Sequence, residues 1–433
     1  MSASSLNSFG HTPLHQAGML LRVARPWSRR LLSTSVAPSR VLFFGTDDFS
    51  LPSLEKLHAL TSDPNSSLTS VDVVTTGDVR RTPKAKPTPV PVKKFALENN
   101  ITVHEIPTGL SPMDLEHNWT CPVGFDLGVV VSFGYFVPKP VLSSLRLGAI
   151  NVHPSLLPAY RGAAPISWTV LRGDDETGVS IIEVDPDAFD SGGILLQVEE
   201  PVHPDEMYSE LRKRLSMIGA DCLVAALRNM ELGMRPNMQQ QQQQQQSSSA
   251  TTLGVIEETP AWKLTQRHGR VRWRTKYDSK IKKKLSCGTS FDLNDPPTSR
   301  QLYNRWRALS ESVGVWLDWL QEDRNTTIQL RVVELGFPEK YDVEHNDSAS
   351  RLTVEVEDKV VDEVSMGTMI WCKKTKRLML KCAPSASEDW TSDRYKEWIE
   401  IKRVQIPGKK VLNGVDFANG QRLKKRSMMQ TLL

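Results

Sequence analysis

The chain has 433 residues, of which 39% are hydrophobic and 24% charged, and its formal net charge is +4. This length exceeds that of one ordinary domain, so we expect two domains. No stretch of about 18 apolar residues occurs, so we expect neither a membrane-spanning helix nor a membrane partner. The five cysteines have neither a CxxC pair nor the spacing of metal ligands, which indicates reduced thiols and no metal site.

The first forty residues differ in composition from the rest. They contain five arginines and many serines, and the first acidic residue of the chain is Asp47. An Arg-rich, Ser-rich and acid-free segment is typical of an organelle transit peptide. Residues 1–40 are therefore predicted to be a targeting segment, with a merely disordered tail as the alternative.

Short apolar runs predict a first domain over residues 41–236. Their spacing of about 25 residues favours βαβ units and a Rossmann-like, mainly parallel sheet, with ligands at the carboxyl ends of the strands. The dinucleotide fingerprint GxGxxG does not follow the first run, so no nicotinamide cofactor is expected. An amphipathic helix over 207–229 closes the domain. The predicted strands lie at 41–45, 71–76, 101–104, 127–132, 178–184 and 194–197.

Two polar side chains follow a further short apolar run in this domain. Asn151 and His153 lie two residues apart, so on a strand they share a face. An amide and an imidazole directed at one point can stabilise a developing oxyanion and move a proton. Asp190, in the loop after the strand at 178–184, is the carboxylate expected to orient the imidazole. Each residue alone has a plainer interpretation as a structural histidine, a strand-end amide or a turn aspartate.

A basic, proline-rich segment follows the second predicted strand. It has no acidic residue between Asp78 and Glu98 and carries six cations. Extended cations can follow a phosphate backbone, and a solvated loop is the alternative. The residues assigned to nucleic-acid contact here are Arg80, Arg81, Lys84, Lys86 and Lys93.

Eight consecutive glutamines at 239–246 separate the two domains. Together with the serines that follow, they have nothing to bury, so residues 237–262 are predicted to be a flexible linker. Charge also divides here: residues 41–256 hold 16 Lys and Arg against 25 Asp and Glu, whereas residues 257–433 hold 33 against 25. The basic second half favours an anionic partner.

The second domain, residues 263–433, begins with a basic segment that contains aromatic residues. Such a segment suits RNA through phosphate contacts and base stacking, and a solvated linker is the alternative. The cations assigned to RNA contact are Arg272, Arg274, Lys282, Lys283 and Lys284.

A helix over 301–309 and several short strands follow this segment. Short strands with turn signals between them predict a small β-barrel of the oligonucleotide-binding (OB) type. The predicted strands lie at 327–333, 352–356, 368–372, 378–381 and 398–404.

Several stretches carry a family resemblance. One segment resembles the signature of the folate-dependent formyltransferases: Asn151-x-His153-x-Ser155-Leu156-Leu157-Pro158-x-Tyr160-Arg161-Gly162. Asp190, in Phe189-Asp190-Ser191-Gly192, resembles the third catalytic residue of that family. The methionyl-tRNA branch of that family is similar in further segments: Phe44-Gly45-Thr46-Asp47-Asp48-Phe49, Pro91-Val92-Lys93 and Phe417-Ala418-Asn419-Gly420. The resemblance therefore extends over nearly the whole chain.

This resemblance implies an enzyme that transfers a formyl group from 10-formyltetrahydrofolate, as cosubstrate, to the α-amine of initiator methionyl-tRNA, without a metal. Asn151 would donate to the oxyanion, and His153 would stabilise it and help to protonate the leaving nitrogen. Asp190 would orient His153 and assist in removing the amine proton. The folate pocket would be lined by Ser155, Leu156, Leu157, Pro158, Arg161 and Gly162. We expect a monomer in the mitochondrial matrix that serves translation initiation.

Three other functions share part of this pattern. A glycinamide ribonucleotide formyltransferase has the same motif but no need of a basic second domain. A formyltetrahydrofolate hydrolase or dehydrogenase would use the same three residues with water as acceptor, and the dehydrogenase would add a large nicotinamide-binding domain. A non-catalytic RNA-binding protein would not need Asn151, His153 and Asp190 together.

Overall fold

The computed structural model describes residues 37–80, 82, 84–107, 110, 115, 119–232, 259–261, 263–265, 296–321, 326–338, 366–372, 375–384 and 397–421. Outside this part lie residues 1–36, Arg81, the glutamine run, the predicted strand at 352–356, and the cations Arg272, Arg274, Lys282, Lys283 and Lys284. Of the helices that the described ranges contain, none has the length and apolar character needed to cross a bilayer.

The first domain is built on a seven-stranded sheet. Its order is β3-β2-β1-β4-β5-β7-β8, with parallel pairing from β3 to β5 and antiparallel pairing of β7 and β8. The mainly parallel sheet expected from the sequence is confirmed, and the short strand β6 was not expected. The strands are β1 (Arg40–Gly45), β2 (Ser70–Thr76), β3 (Val103–Ile106), β4 (Leu127–Val131), β5 (Ala149–His153), β6 (Ala159–Arg161), β7 (Glu176–Glu183) and β8 (Ile194–Pro201).

Both faces of this sheet are covered. In β1, Val41 and Phe43 belong to one hydrophobic core, whereas Leu42 and Phe44 belong to a second core on the opposite face. A strand that is apolar on both faces is what a parallel sheet between two helical layers requires. The helices of this domain are α1 (Leu51–Leu60), α2 (Pro91–Glu98), α3 (Lys139–Ser144), α4 (Pro165–Arg172) and α5 (Tyr208–Glu231).

A short strand, β9 (Thr259–Pro260), follows the first domain and pairs in parallel with β6. The second domain begins with helix α6 (Ser299–Leu309), which starts with a capping box: the Thr298 hydroxyl accepts from the Gln301 N–H, and the Gln301 side chain accepts from the Thr298 N–H. These reciprocal bonds satisfy donors that a helix start leaves without partners. The predicted helix at 301–309 is thereby extended by two residues.

The second domain continues as a six-stranded antiparallel sheet. Its order is β10-β11-β14-β13-β12, with β15 paired to β14. The sequence prediction overlooked β10, although Val315, Leu317 and Trp319 alternate along it and are all buried. The elements are β10 (Val315–Gln321), β11 (Thr326–Leu335), β12 (Met369–Cys372), β13 (Arg377–Lys381), β14 (Trp398–Gln405), β15 (Val411–Asn413) and helix α7 (Gly414–Gly420).

The two domains are joined by α6, which packs along α4. Arg307 of α6 is 1% exposed, and its guanidinium donates to the carbonyls of Glu206 at 2.8 Å and His203 at 3.2 Å. Its second amino group donates to Asn304 at 2.8 Å. Burial lowers the pKa of Arg307 to about 10, and the nearby charge of Arg300 acts in the same direction. Arg307 therefore ties the segment that precedes α5 to the second domain.

We expect Arg307→Met to lower the free energy of unfolding by about 2–4 kcal/mol, because it leaves buried carbonyls without donors. Urea denaturation measures this change. Arg403→Met, at an exposed position of β14, is the matched control and should change stability by less than about 0.5 kcal/mol. A loss at Arg307 no larger than that of the control would contradict the anchoring role.

Candidate active site

The end of β5 carries the amide and the imidazole that the sequence singles out. Asn151 and His153 lie two residues apart on this strand, and β5 is flanked by β4 and β7. Asp190 comes from the loop between β7 and β8, where its backbone is left-handed with φ at +50°. Gly192 lets this loop approach β7, since a Cβ there would lie 1.9 Å from the Glu183 carbonyl oxygen. The left-handed turn and the close approach bring Asp190 back over β5.

The Asp190 carboxylate brings the site together. Its Oδ1 accepts from the Asn151 side-chain amide at 3.0 Å, and its Oδ2 accepts from the Gly162 backbone N–H at 2.9 Å. His153 Nδ1 lies 3.6 Å from Oδ1, and the side chains of His153 and Asp190 are 5% and 10% exposed. Charge interactions in such a largely buried site are stronger than in water.

A backbone carbonyl decides which imidazole nitrogen carries the hydrogen. His153 Nε2 lies 3.0 Å from the carbonyl oxygen of Tyr160. A carbonyl can only accept, so Nε2 is the donor and holds its hydrogen there. Nδ1, which faces Asp190, is therefore the nitrogen at which His153 can gain or lose a proton.

Tyr160 is held in place for this contact. Its backbone is left-handed with φ at +61°, its ring is buried under the Arg172 guanidinium at 5.4 Å, and its hydroxyl donates to Asp174. Burial raises the pKa of the Asp174 carboxyl to about 6, although the Tyr160 hydroxyl and Arg172 act in the opposite direction. Sequence reasoning missed this role of Tyr160, because a backbone carbonyl leaves no signal in the residue type.

A row of buried polar residues supports the loop after β5. His153, Ser180 and Gln197 lie in register across β5, β7 and β8, and all three are less than 8% exposed. The Ser180 hydroxyl donates to the Ser155 carbonyl at 2.6 Å and accepts from the Leu157 N–H at 3.2 Å.

Gln197 completes this row. Its side-chain amide donates to the Ser180 hydroxyl at 2.8 Å and to the Leu157 carbonyl at 3.1 Å. The loop after β5 is thus hydrogen-bonded by side chains on the two neighbouring strands β7 and β8. A spacing pattern within one segment cannot reveal such contacts, because the partners lie far apart in the sequence.

The residues expected to line the folate pocket divide into two groups. Ser155 and Leu157 are buried, and the Ser155 hydroxyl donates to the Ala159 carbonyl at 2.7 Å, so both stabilise the loop. The half-buried residues reach the surface of the loop: Leu156, Pro158, Arg161 and Gly162.

Within the described ranges, no three His, Cys, Asp or Glu side chains gather as a metal-binding group. The cysteines of those ranges are unpaired: Cys121, Cys222, Cys372 and Cys382. The amide, imidazole and carboxylate of Asn151, His153 and Asp190 offer hydrogen bonding, charge stabilisation and proton exchange.

The basic loop lies at the same edge of the sheet as the site. It follows the carboxyl end of β2, and a bridge between Val79 and Thr88 closes its base. β2 and β5 are separated by three strand spacings, or about 14 Å. The described cations Arg80, Lys84 and Lys86 are exposed on this loop.

Lys93 lies at the base of this loop, where it pairs with two carboxylates. Its ammonium contacts Asp78 at 2.5 Å and Glu105 at 2.7 Å, and its side chain is 12% exposed. The hydrogen bonds that Lys93 donates to Asp78 and Glu105 raise the pKa of Lys93. Asp78 and Glu105 thus hold Lys93 within the fold, and its contact with nucleic acid stays a prediction.

Known proteins match both domains. Residues 39–227 match the formyl transferase family, and residues 296–422 match the formyl transferase C-terminal domain. The mitochondrial methionyl-tRNA formyltransferase of Homo sapiens is 30% identical over 385 residues, which cover 88% of this chain and 78% of that protein. The methionyl-tRNA formyltransferase of Syntrophus aciditrophicus (strain SB) is 42% identical over 201 residues, 46% of this chain and 62% of that protein. The solved structure of a sugar N-formyltransferase from Shewanella sp. FDAARGOS_354 covers 67% of this chain and 95% of that one, with a TM-score of 0.40 and 15% identity.

We expect Ser180→Ala to loosen the loop after β5, because the Leu157 N–H and the Gln197 amide lose their acceptor. Amide hydrogen exchange over residues 154–160 should become at least about tenfold faster. Ser216→Ala is the matched control, since this buried hydroxyl donates only to Lys213 within α5. Unchanged exchange in Ser180→Ala would show that the loop does not depend on the polar row.

Proposed function

Because the chain belongs to the methionyl-tRNA formyltransferase family, we propose that it transfers the formyl group of 10-formyltetrahydrofolate to the α-amine of initiator methionyl-tRNA. The observation that carries this proposal is the joint approach of Asn151, His153 and Gly162 to the Asp190 carboxylate. An amide donor, an imidazole and a carboxylate at one buried point suit acyl transfer to an amine.

The surroundings of Asp190 fit a folate. Phe189, which precedes Asp190, is 54% exposed and packs edge-on against Phe136 with ring centroids 4.9 Å apart. This apolar surface beside a carboxylate suits the flat aromatic rings of the cosubstrate. The bound folate supplies the formyl carbon that the amine attacks.

We assign different roles to Asn151 and His153: the amide donates a hydrogen bond, and the imidazole transfers protons. One hydrogen of the Asn151 amide is donated to Asp190, and we assign the other to the formyl oxygen, which gains negative charge during attack. His153 Nδ1 takes the proton from the incoming amine and returns one to the folate nitrogen that leaves. Asp190 stabilises the imidazolium between these two transfers, while the Tyr160 carbonyl keeps the other nitrogen protonated.

The acceptor is recognised away from the site. A tRNA is a polyanion, and the exposed cations of the loop after β2, a strand about 14 Å from β5, can hold its backbone. We assign this role to Arg80, Arg81, Lys84 and Lys86. The basic segment of the second domain adds Arg272, Arg274, Lys282, Lys283 and Lys284.

Our proposal also covers architecture and location. The antiparallel sheet of the second domain is assigned to an OB-type barrel. The domains are assigned to residues 41–236 and 263–433, with a linker at 237–262 and a transit peptide at 1–40. The mitochondrial relatives support a mitochondrial protein, which we place in the matrix as a monomer serving translation initiation.

We expect His153→Ala to reduce kcat for formyl transfer by at least about a thousandfold, because the proton-exchanging nitrogen is lost. The assay follows transfer from 10-formyltetrahydrofolate to charged methionyl-tRNA, with uncharged tRNA and glycinamide ribonucleotide as competing acceptors. Binding of methionyl-tRNA should change by less than about twofold. His104→Ala is the matched control, since His104 pairs with Asp72 at 2.9 Å on β3, away from the site. Strong turnover in His153→Ala would reject the catalytic assignment.

We expect the double change Arg80→Ala and Arg81→Ala to weaken tRNA binding and to reduce the slope of log affinity against log salt by about 1.5. Titrations at several salt concentrations measure this slope. The double control Lys56→Ala and Lys213→Ala removes the same charge from α1 and α5. Equal slopes for the two double variants would mean that the basic loop is only solvated.

A further inference from the structure

The segment that leads into the second domain returns to the site. β9 pairs in parallel with β6, with Thr259 beside Ala159 and Pro260 beside Arg161. The next residue, Ala261, is 1% exposed. Part of a segment predicted from composition to be a flexible linker is thus paired with β6, and Ala261 is buried there.

The backbone of Ala261 brackets the turn after β6. Its N–H donates to the Arg161 carbonyl at 2.6 Å, and its carbonyl accepts from the Ala164 N–H at 3.2 Å. Gly162 lies between these two bonds with φ at +115°, and a Cβ there would lie 3.0 Å from the Ala261 carbonyl oxygen. The turn and Ala261 are therefore packed with no space between them.

This turn holds both proton-handling residues. The Gly162 N–H donates to Asp190 Oδ2 at 2.9 Å, and the carbonyl of Tyr160 accepts from His153 Nε2 at 3.0 Å. Displacing the turn would therefore move the donor to the carboxylate and the acceptor of the imidazole together.

We propose that Thr259–Ala261, in the segment that leads into the second domain, is a positioning element of the active site and contributes to the chemical step. This inference rests on the proposed formyl transfer. Ala261 acts through Gly162 and Tyr160 and does not touch the reacting atoms, so its effect should appear in kcat and not in the KM of either substrate.

The other attachment of the second domain supports this arrangement. Ala164, which is bonded to Ala261, immediately precedes α4, and α6 packs along the same helix. At the far end of α4, Gly173 lies against Asn304, and a Cβ there would lie 2.2 Å from the Asn304 amide nitrogen. The segment around β9 and the helix α6 thus hold α4 at its two ends.

The test is Ala261→Pro in the full chain, which removes the N–H that bonds to Arg161. We expect kcat for formyl transfer to fall at least about tenfold, with the KM for folate and for methionyl-tRNA each within about threefold. Amide hydrogen exchange over residues 159–164 should become faster. Ala261→Gly keeps the N–H and should retain wild-type kcat. As a second control, Ser249→Pro places a proline in the glutamine- and serine-rich stretch.

A second variant, Ala261→Leu, tests the inference if Ala261→Pro fails to fold. Ala261→Leu keeps the N–H but adds a side chain where the structure has no space, so it should displace β9 and lower kcat similarly. Unchanged kcat in both variants, or a rise only in the KM for methionyl-tRNA, would overturn the inference.

The exchange measurement decides the positioning role independently of the reaction. Unchanged exchange over 159–164 in Ala261→Pro rejects the inference even if kcat falls. A wild-type chain that does not formylate methionyl-tRNA rejects the proposed function instead.

Discussion

The buried carboxylate of Asp190 is the constraint on which the site depends. A charge that is 10% exposed must be met by donors, since an unmatched buried charge is costly. Those donors come from β5 through Asn151 and from the turn after β6 through Gly162, while His153 faces the same oxygen. The strand, the turn and the loop of Asp190 can therefore be satisfied only in one mutual arrangement.

The row of buried polar residues across the sheet provides hydrogen-bond partners for the loop after β5. The loop after β5 contains carbonyls and N–H groups that cannot all pair within so short a segment. Ser180 and Gln197 supply the missing partners from β7 and β8, in register with His153. Antiparallel pairing of β7 beside the parallel strands creates this register, so the departure from a fully parallel sheet contributes directly to the site. The loop is therefore held by the sheet, although it lies beyond the end of β5.

The first domain is contacted both by the segment that precedes the second domain and by the second domain itself. Ala261 is bonded to the turn that carries Gly162, and the buried guanidinium of Arg307 is bonded to the segment before α5. Ala164, at the start of α4, is bonded to Ala261, and α6 packs along the same helix. The first half of the chain is acidic and the second half is basic, which supports our proposal that the second domain holds the polyanionic acceptor.

Local periodicity and composition were sufficient to predict several features of this protein. The apolar runs predicted the parallel strands, and the two-residue spacing predicted that Asn151 and His153 share the end of β5. Three features became visible only in the folded chain: the His153 nitrogen that bonds to the Tyr160 carbonyl, the pairing of Lys93 with Asp78 and Glu105, and the position of Ala261 beside the site. These contacts are made by backbone atoms or by residues far apart in the sequence. The type of a residue alone therefore does not indicate which groups will lie next to it in the fold.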